Sequence, residues 1–289
     1  MHPTYKHADG TMWDALLSYL AEEGGDDWQP PDQPDEPHWA AAPEAIQVML
    51  REKRMERLWK EEGLLPRPCL LHRLDKDTSG IVAVARTERS CRHISRQFIA
   101  HTIVKRYLAV VHKGAPDWAA PRTTLSVTKQ LSEGGETGLE IPLSLSTLHD
   151  VELTLNGPLQ RDPQERRRCI VGPNGQNAVT IVKVLRIDGE FALLEVRPVT
   201  GRTHQIRAHL AALGYAIVGD PIYAPALAYG TPQAALGRQF LHAYCLELRR
   251  YPDNEQCKFV APLPDDLKFW LERYFPDGLE VLDTSMVSS

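Results

Sequence analysis

Apolar residues recur along this chain with two different periods, and each period marks a different kind of element. Met12, Leu16, Tyr19 and Leu20 fall at helical spacing behind Thr11 and Asp14, which fit a capping box, and Gly24-Gly25 stops that helix. Ile46, Met49 and Leu50 make a modest apolar stripe in the charged stretch 44–62, which is rich in helix formers. Residues 81–85 (Ile-Val-Ala-Val-Ala) and 107–112 predict strands, whereas 87–100 predicts a helix with Cys91, Ile94 and Phe98 on one face. Residues 179–187 and 191–197 bracket Asp188-Gly189-Glu190 and predict a hairpin. A helix is expected over 203–213, with Ile206, Leu210 and Leu213 inward and Gly214 closing it. Strands at 239–248 and 256–261 and a helix at 265–274 follow. The stretch 114–168 has weak periodicity and is expected to be an irregular, partly stranded excursion. Antiparallel hairpins with interspersed helices argue for an α+β fold with a mixed, mainly antiparallel central sheet and flanking helices, not a doubly wound one.

Composition refines the boundaries. The 289 residues, 43% of them hydrophobic, are enough for a full core. Between Gly24 and Pro43 there are five prolines and almost no aliphatic residues, so a mobile surface loop is expected there. The organisation expected is a helical segment over 1–23, an acidic proline-rich insertion with a charged helix over 24–63, a core over 64–275 that contains the excursion, and a tail over 276–289. Five cysteines at 69, 91, 169, 245 and 257 show no C-x-x-C pair and no metal-ligand spacing, which suggests reduced thiols in a cytoplasmic protein. No apolar run approaches the roughly twenty residues that cross a bilayer, so no membrane partner is expected.

The formal charge of −5 argues against a polyanion partner until its distribution is considered. Residues 1–50 hold one lysine against ten acids, a balance of −9, which leaves +4 for the rest of the chain. From His72 to Arg106 there are eight Lys and Arg against Asp75, Asp77 and Glu88. The basic excess therefore surrounds the string His72-Arg73-Leu74-Asp75-Lys76-Asp77-Thr78-Ser79-Gly80, which sets one carboxylate between two cationic residues and ends in a turn. An Asp in a polar loop is ordinarily a turn or capping residue. A second string, Thr200-Gly201-Arg202-Thr203-His204-Gln205-Ile206-Arg207-Ala208-His209, followed by Val218-Gly219-Asp220, changes that expectation.

Together with Lys105-Arg106-Tyr107, the two strings resemble the RluA-type family of RNA pseudouridine synthases in order and approximate spacing. The resemblance implies the pseudouridine synthase fold and the isomerisation of uridine in structured RNA, ribosomal RNA being expected before transfer RNA. The reaction breaks the bond between ribose C1′ and uracil N1 and rejoins the base through C5, so no cofactor or metal is implied. It also implies that Asp75 is the catalytic carboxylate, acting as nucleophile toward sugar or base or as base toward the ribose. A carboxylate in a closed pocket needs a cation beside it to remain ionised, and by resemblance that cation is Arg207. Tyr107 occupies the position of the family's tyrosine platform for an extruded base, Leu241 that of the apolar residue across the pocket, and Arg73 that of arginines that wedge into the RNA. Lys105 is expected to bind substrate, and Arg202 to hold a phosphate or a loop carbonyl. His72, His204 and His209 are expected to shape loops by hydrogen bonding rather than to carry protons in the reaction. RNA is the expected partner, DNA is not, and a monomer is expected. Family members usually begin with strands carrying an Asn-Lys-Pro-x-Gly segment before the His-Pro found here as His2-Pro3, so either the start codon is placed too late or the chain has lost an edge of its sheet. The rival from another class is a non-catalytic RNA-binding protein that kept the fold after losing them. A hydrolase using Asp75 with a histidine is a poorer third, because no nucleophile elbow or metal triad accompanies it.

Overall fold

The computed structural model describes residues 64–121, 125–130, 135–141, 144, 151–224 and 231–287, with Ala15, Leu16, Ser18 and Tyr19 as helical residues before them. The expected first helix is represented by those four positions alone. The stretch expected to be an insertion, 24–63, lies outside the described residues.

In chain order the elements are β1 (Leu64–Leu70), β2 (Ser79–Gly80), β3 (Val84–Thr87), α1 (Glu88–Ile99), β4 (Val104–Lys113), β5 (Ser126–Gln130), β6 (Glu136–Leu139) and β7 (Glu152–Asn156). There follow β8 (Leu159–Arg161), β9 (Cys169–Val171), β10 (Val179–Asp188), β11 (Phe191–Pro198), α2 (Gln205–Ala212) and β12 (Tyr215–Ile217). The chain closes with β13 (Leu241–Arg249), β14 (Gln256–Val260), α3 (Asp265–Tyr274) and α4 (Pro276–Val287). These elements form two compact units, one from Met1–Arg73 and Ala83–His93, the other from Leu74–Val82 and Ile94–Ser289.

In the first unit β1 pairs antiparallel with β3, Leu70 lying opposite Val84. His72 Nε2 accepts a hydrogen bond from the Ala83 N–H at 2.9 Å, which fixes the turn of chain after β1. Helix α1 starts where it does because Thr87 caps it, its Oγ1 accepting from the Ser90 N–H at 3.1 Å.

The second unit is built on a ten-stranded sheet in the order β14-β13-β4-β11-β10-β7-β5-β6, with β12 added to β4 and β2 to β13. All pairings in it are antiparallel except β2 with β13. Strand β4 is central, and Leu108, Ala109, Val110 and Val111 are buried whichever face they occupy, as expected of a strand covered on both sides. Cross-strand partners share a face, so Tyr107, Val196 and Ala243 lie on one side, as do Ala109 and Leu241. The same rule carries that face through Val182 to Thr180, which accepts a hydrogen bond from Gln205 at the start of α2. The opposite face carries Phe191, against which Trp270 of α3 packs edge-on at 5.2 Å between ring centroids.

Three expectations need correction. The apolar run 81–85 is not one strand: Ser79–Gly80 pairs with β13, and Val84–Thr87 pairs with β1. The chain leaves one sheet for another within the run, and hydrophobicity alone cannot show such a change of partner. The excursion 114–168 is more regular than expected, since β5, β6 and β7 extend the main sheet to its edge. Their strands are short, of four or five residues, and carry little alternation for a sequence pattern to reveal. Residues 276–287 form helix α4 instead of a tail, and α4 packs on β10.

Candidate active site

Asp75 sits in a loop that the segment after Gly237 holds in place. The Thr78 N–H returns to the Asp75 carbonyl at 3.1 Å, closing a turn in which Asp77 takes φ 65°. Gln239 donates from Nε2 to the Lys76 carbonyl at 2.6 Å and to Thr78 Oγ1 at 3.0 Å. Arg238 donates to the Asp77 carbonyl at 3.1 Å and forms a paired bridge to Asp266. The loop ends at Gly80, where φ is +121° and the backbone passes so close to β13 that a Cβ would stand 2.2 Å from the Ala243 oxygen. Only glycine fits both conditions. The Ile81 N–H then bonds that same oxygen at 3.0 Å.

Arg207 comes from α2. Its helix is entered through His204 in the left-handed region, φ 55°, and is fixed by Gln205. The Gln205 carboxamide oxygen accepts from Thr200 Oγ1 and the Arg202 N–H, while its nitrogen donates to the Val179 carbonyl and Thr180 Oγ1. All eight residues of α2 are buried, so Arg207 enters the site from the interior. His209, on the same helix, meets Thr180 Oγ1 and the Gly157 carbonyl, both at 2.9 Å. A carbonyl only accepts, so Nε2 carries the proton and Nδ1 accepts from Thr180. Burial pushes this imidazole down to about 4, so it is neutral at neutral pH.

The guanidinium of Arg207 is shared unequally by two carboxylates. It grips Asp220 through two bonds, Nε to Oδ2 at 2.7 Å and Nη2 to Oδ1 at 2.8 Å. Its remaining nitrogen, Nη1, reaches Asp75 Oδ2 at 3.4 Å. Asp220 Oδ1 also accepts from the Ile222 and Tyr223 N–H groups, at 2.8 and 2.9 Å, so the clamp is anchored in a turn. The Tyr223 ring lies 4.9 Å from the guanidinium carbon, and its hydroxyl is held by the Cys169 N–H and carbonyl. Burial opposes the charge on Arg207, but the bonds to Asp220 and the charges of Asp220 and Asp75 outweigh it and hold the group cationic. The Asp75 side chain keeps 18% of its surface exposed and that of Asp220 none. Of the two carboxylates, only Asp75 can meet a ligand.

The other expected site residues differ in their burial. Tyr107 is buried, its hydroxyl pushed up first by burial and then by the charge of Asp75, so it is a neutral phenol. Leu241 is buried on the same face of the sheet, opposite Ala109, two residues along the strand from Tyr107. Lys105 lies beside Gly201, where burial lowers its ammonium. Arg202 is exposed and donates from Nε to the Asn177 carbonyl at 3.1 Å. Arg73 is exposed and belongs to the first unit. His72 and His204 are engaged in hydrogen bonds, to the Ala83 N–H and the Tyr223 hydroxyl. Sequence reasoning missed Asp220 as the main partner of Arg207, and it missed Tyr223, Arg238 and Gln239 altogether. The signal available was the Val218-Gly219-Asp220 string, in which an Asp follows a glycine soon after a buried helix.

Among the described residues no group of three His, Cys, Asp or Glu side chains is arranged to hold a metal, and no helix is long and apolar enough to cross a membrane.

Comparison with known proteins identifies the class to which the chain belongs. The family model for RNA pseudouridylate synthases matches residues 29–212, a range that begins inside the expected insertion and includes both Asp75 and Arg207. The chain is 38% identical over 207 residues to an uncharacterized RNA pseudouridine synthase of Chloroflexus aurantiacus, covering 72% of this chain and 54% of that protein. It is 32% identical over 212 residues to an uncharacterized RNA pseudouridine synthase of Bacillus subtilis, covering 73% and 57%. It is 36% identical over 212 residues to a Xanthomonas campestris protein named ribosomal large subunit pseudouridine synthase D, covering 71% and 54%. The chain thus spans about half the length of the curated relatives it matches. It belongs to the RluA-type family of RNA pseudouridine synthases.

Proposed function

We propose that this chain isomerises uridine to pseudouridine in structured ribosomal RNA, with Asp75 as the reacting carboxylate. The observation that carries the reading is the division of labour at Arg207: Asp220 is fully buried and takes two of its bonds, while Asp75 takes the third at 3.4 Å and stays accessible. A carboxylate needed only for packing would take the closer, buried place. An accessible one beside a fixed cation is poised to remain ionised while a ligand displaces water around it.

In this reading Asp75 meets the extruded nucleotide, as nucleophile toward the ribose or base or as base toward the ribose. The C1′–N1 bond breaks, the uracil turns, C5 bonds to C1′ and gives up its proton, and N1, no longer bonded to the ribose, takes up a proton, so that the composition is unchanged. The neutral ring of Tyr107 offers a stacking face and Leu241 an apolar wall. Arg73, Lys105 and Arg202 supply positive charge toward the RNA backbone. The name of the Xanthomonas relative supports ribosomal over transfer RNA as the target. The cytoplasm is the proposed compartment and a monomer the proposed form. A non-catalytic RNA binder gains nothing from an accessible carboxylate, which repels phosphates. Mapping pseudouridines in RNA from cells with and without the gene tests the proposal: a site lost on deletion supports it, and an unchanged map contradicts it.

A further inference from the structure

The β8–β9 hairpin carries four arginines that no step above uses, and they divide into two pairs. Arg168 donates to the buried carboxylate of Asp162 at 2.5 Å and lays its guanidinium 3.7 Å from the centre of the Trp118 ring. Arg167 is paired with Glu165 at 2.9 Å. These two charges are cancelled within the hairpin and help to fold it, since Asp162 also accepts from the Gln164 N–H at 2.9 Å. Arg161 and Arg166 are different. Both are exposed, and neither has a carboxylate partner among the described residues. Arg161 donates from Nη1 to the Arg166 carbonyl at 3.0 Å, which bends its guanidinium across the loop.

This hairpin is next to the candidate site. Arg161 lies opposite Cys169, whose backbone holds the hydroxyl of Tyr223, the ring beside Arg207. The charges of Arg161 and Asp75 both bear on the Cys169 thiol and on the His204 ring, so the two are within electrostatic reach of the same groups. The centre itself is a poor host for a polyanion, because Asp75 and Asp220 share one guanidinium. An RNA strand that delivers a base to Asp75 brings its phosphates toward that excess negative charge, and cations nearby must offset the repulsion. Exposed guanidiniums on an ordered loop meet the need, as their planar forks bind phosphate through paired bonds and little ordering is left to do.

We infer that Arg161 and Arg166 are RNA-binding residues that hold the phosphates flanking the target uridine at the edge of the site. The inference rests on the reading of the chain as an RNA enzyme. Its test is the salt dependence of binding to a fluorescein-labelled stem-loop RNA with uridines in its loop, measured by anisotropy for the full chain. Loss of two phosphate contacts should lower the slope of log affinity against log salt by about 1.4 to 1.8 and weaken binding roughly tenfold at low salt. The double variant Arg161→Ala/Arg166→Ala should show this with an unchanged thermal midpoint, and Arg161→Lys/Arg166→Lys should restore most of the slope. A merely structural role would lower the midpoint and leave the slope alone. An alanine variant with wild-type slope and affinity overturns the inference even if the chain forms pseudouridine. A chain that lacks synthase activity but shows the slope change would instead refute the functional reading alone.

Discussion

Gly80→Ala is the substitution in which local geometry, stability and chemistry are most tightly joined. The alanine must hold φ near +121° and place its Cβ 2.2 Å from the Ala243 oxygen, an atom of the β13 backbone that cannot swing aside. The backbone conformation alone costs about 1 to 3 kcal/mol for a residue with a side chain. Relieving the clash moves the loop by roughly 1 Å and breaks the Ile81 N–H bond to Ala243 at 3.0 Å and the Ser79–His242 bond at 2.9 Å, each worth about 1 kcal/mol net. If the loop shifts by that much and still keeps the strained backbone conformation, the expected loss is about 3 to 5 kcal/mol. If the loop lifts away instead, the loss is smaller, but Asp75 moves with it and a shift of about 1 Å at a reacting group costs on the order of a hundredfold in rate. Urea denaturation and turnover on the same preparations distinguish the two outcomes. Gly114→Ala is the control, because Gly114 has a similar φ of +106° with nothing within 4 Å of its Cβ position, so it should lose only the conformational cost and keep its turnover. A Gly80→Ala protein with both the urea midpoint and the turnover of wild type would show that the close approach to β13 does not position Asp75.

Two further outcomes follow from the buried groups of α2. Arg207→Lys cannot reproduce the two-point grip on Asp220 while reaching Asp75, so turnover should fall by about a hundredfold or more with RNA affinity nearly kept; Arg207→Met should in addition cost about 3 to 5 kcal/mol by stranding the buried Asp220. Turnover and denaturation of both variants check this, and a lysine variant of normal rate would contradict it. His209 titrates near 4 in the folded chain against 6.5 when unperturbed, so the unfolded state takes up the proton first as pH falls. Its contribution is therefore fully present above pH 6.5 and is lost progressively between 6.5 and about 4, amounting to roughly 3 kcal/mol. The fall in urea midpoint over that range should be shallower in His209→Gln, and parallel pH curves for the two proteins would refute the assignment.

The sequence made some features plain for physical reasons and hid others. The hairpin of β10 and β11 was legible because its strands are long and its turn residues fix the register. Helix α2 was legible from Ile206, Leu210 and Leu213, all buried, although the pattern gave no hint that its remaining residues are buried as well. Asp75 and Arg207 stood out through their strings, and they are within 3.4 Å of each other across 132 positions of chain. Asp220 did not stand out as the partner of Arg207, because a carboxylate 13 positions on, beyond the end of the helix, has no periodic relation to it. Arg238 and Gln239 were invisible for a similar reason: they act through contacts with backbone carbonyls of the 75–80 loop, which any residue type would present. Residues 81–85 were misread because a change of sheet leaves no mark on an apolar run.

The central claim is that Asp75 carries out an isomerisation of uridine in RNA. The most direct measurement is a pseudouridine map of total RNA from a strain lacking the gene, complemented with either the wild-type chain or Asp75→Asn at equal protein level. The amide keeps the shape of the carboxylate and its position beside Arg207 but can act neither as nucleophile nor as base. The account predicts that one or more ribosomal pseudouridines disappear on deletion, return with the wild-type chain and stay absent with the Asn variant. Full restoration by Asp75→Asn would contradict it.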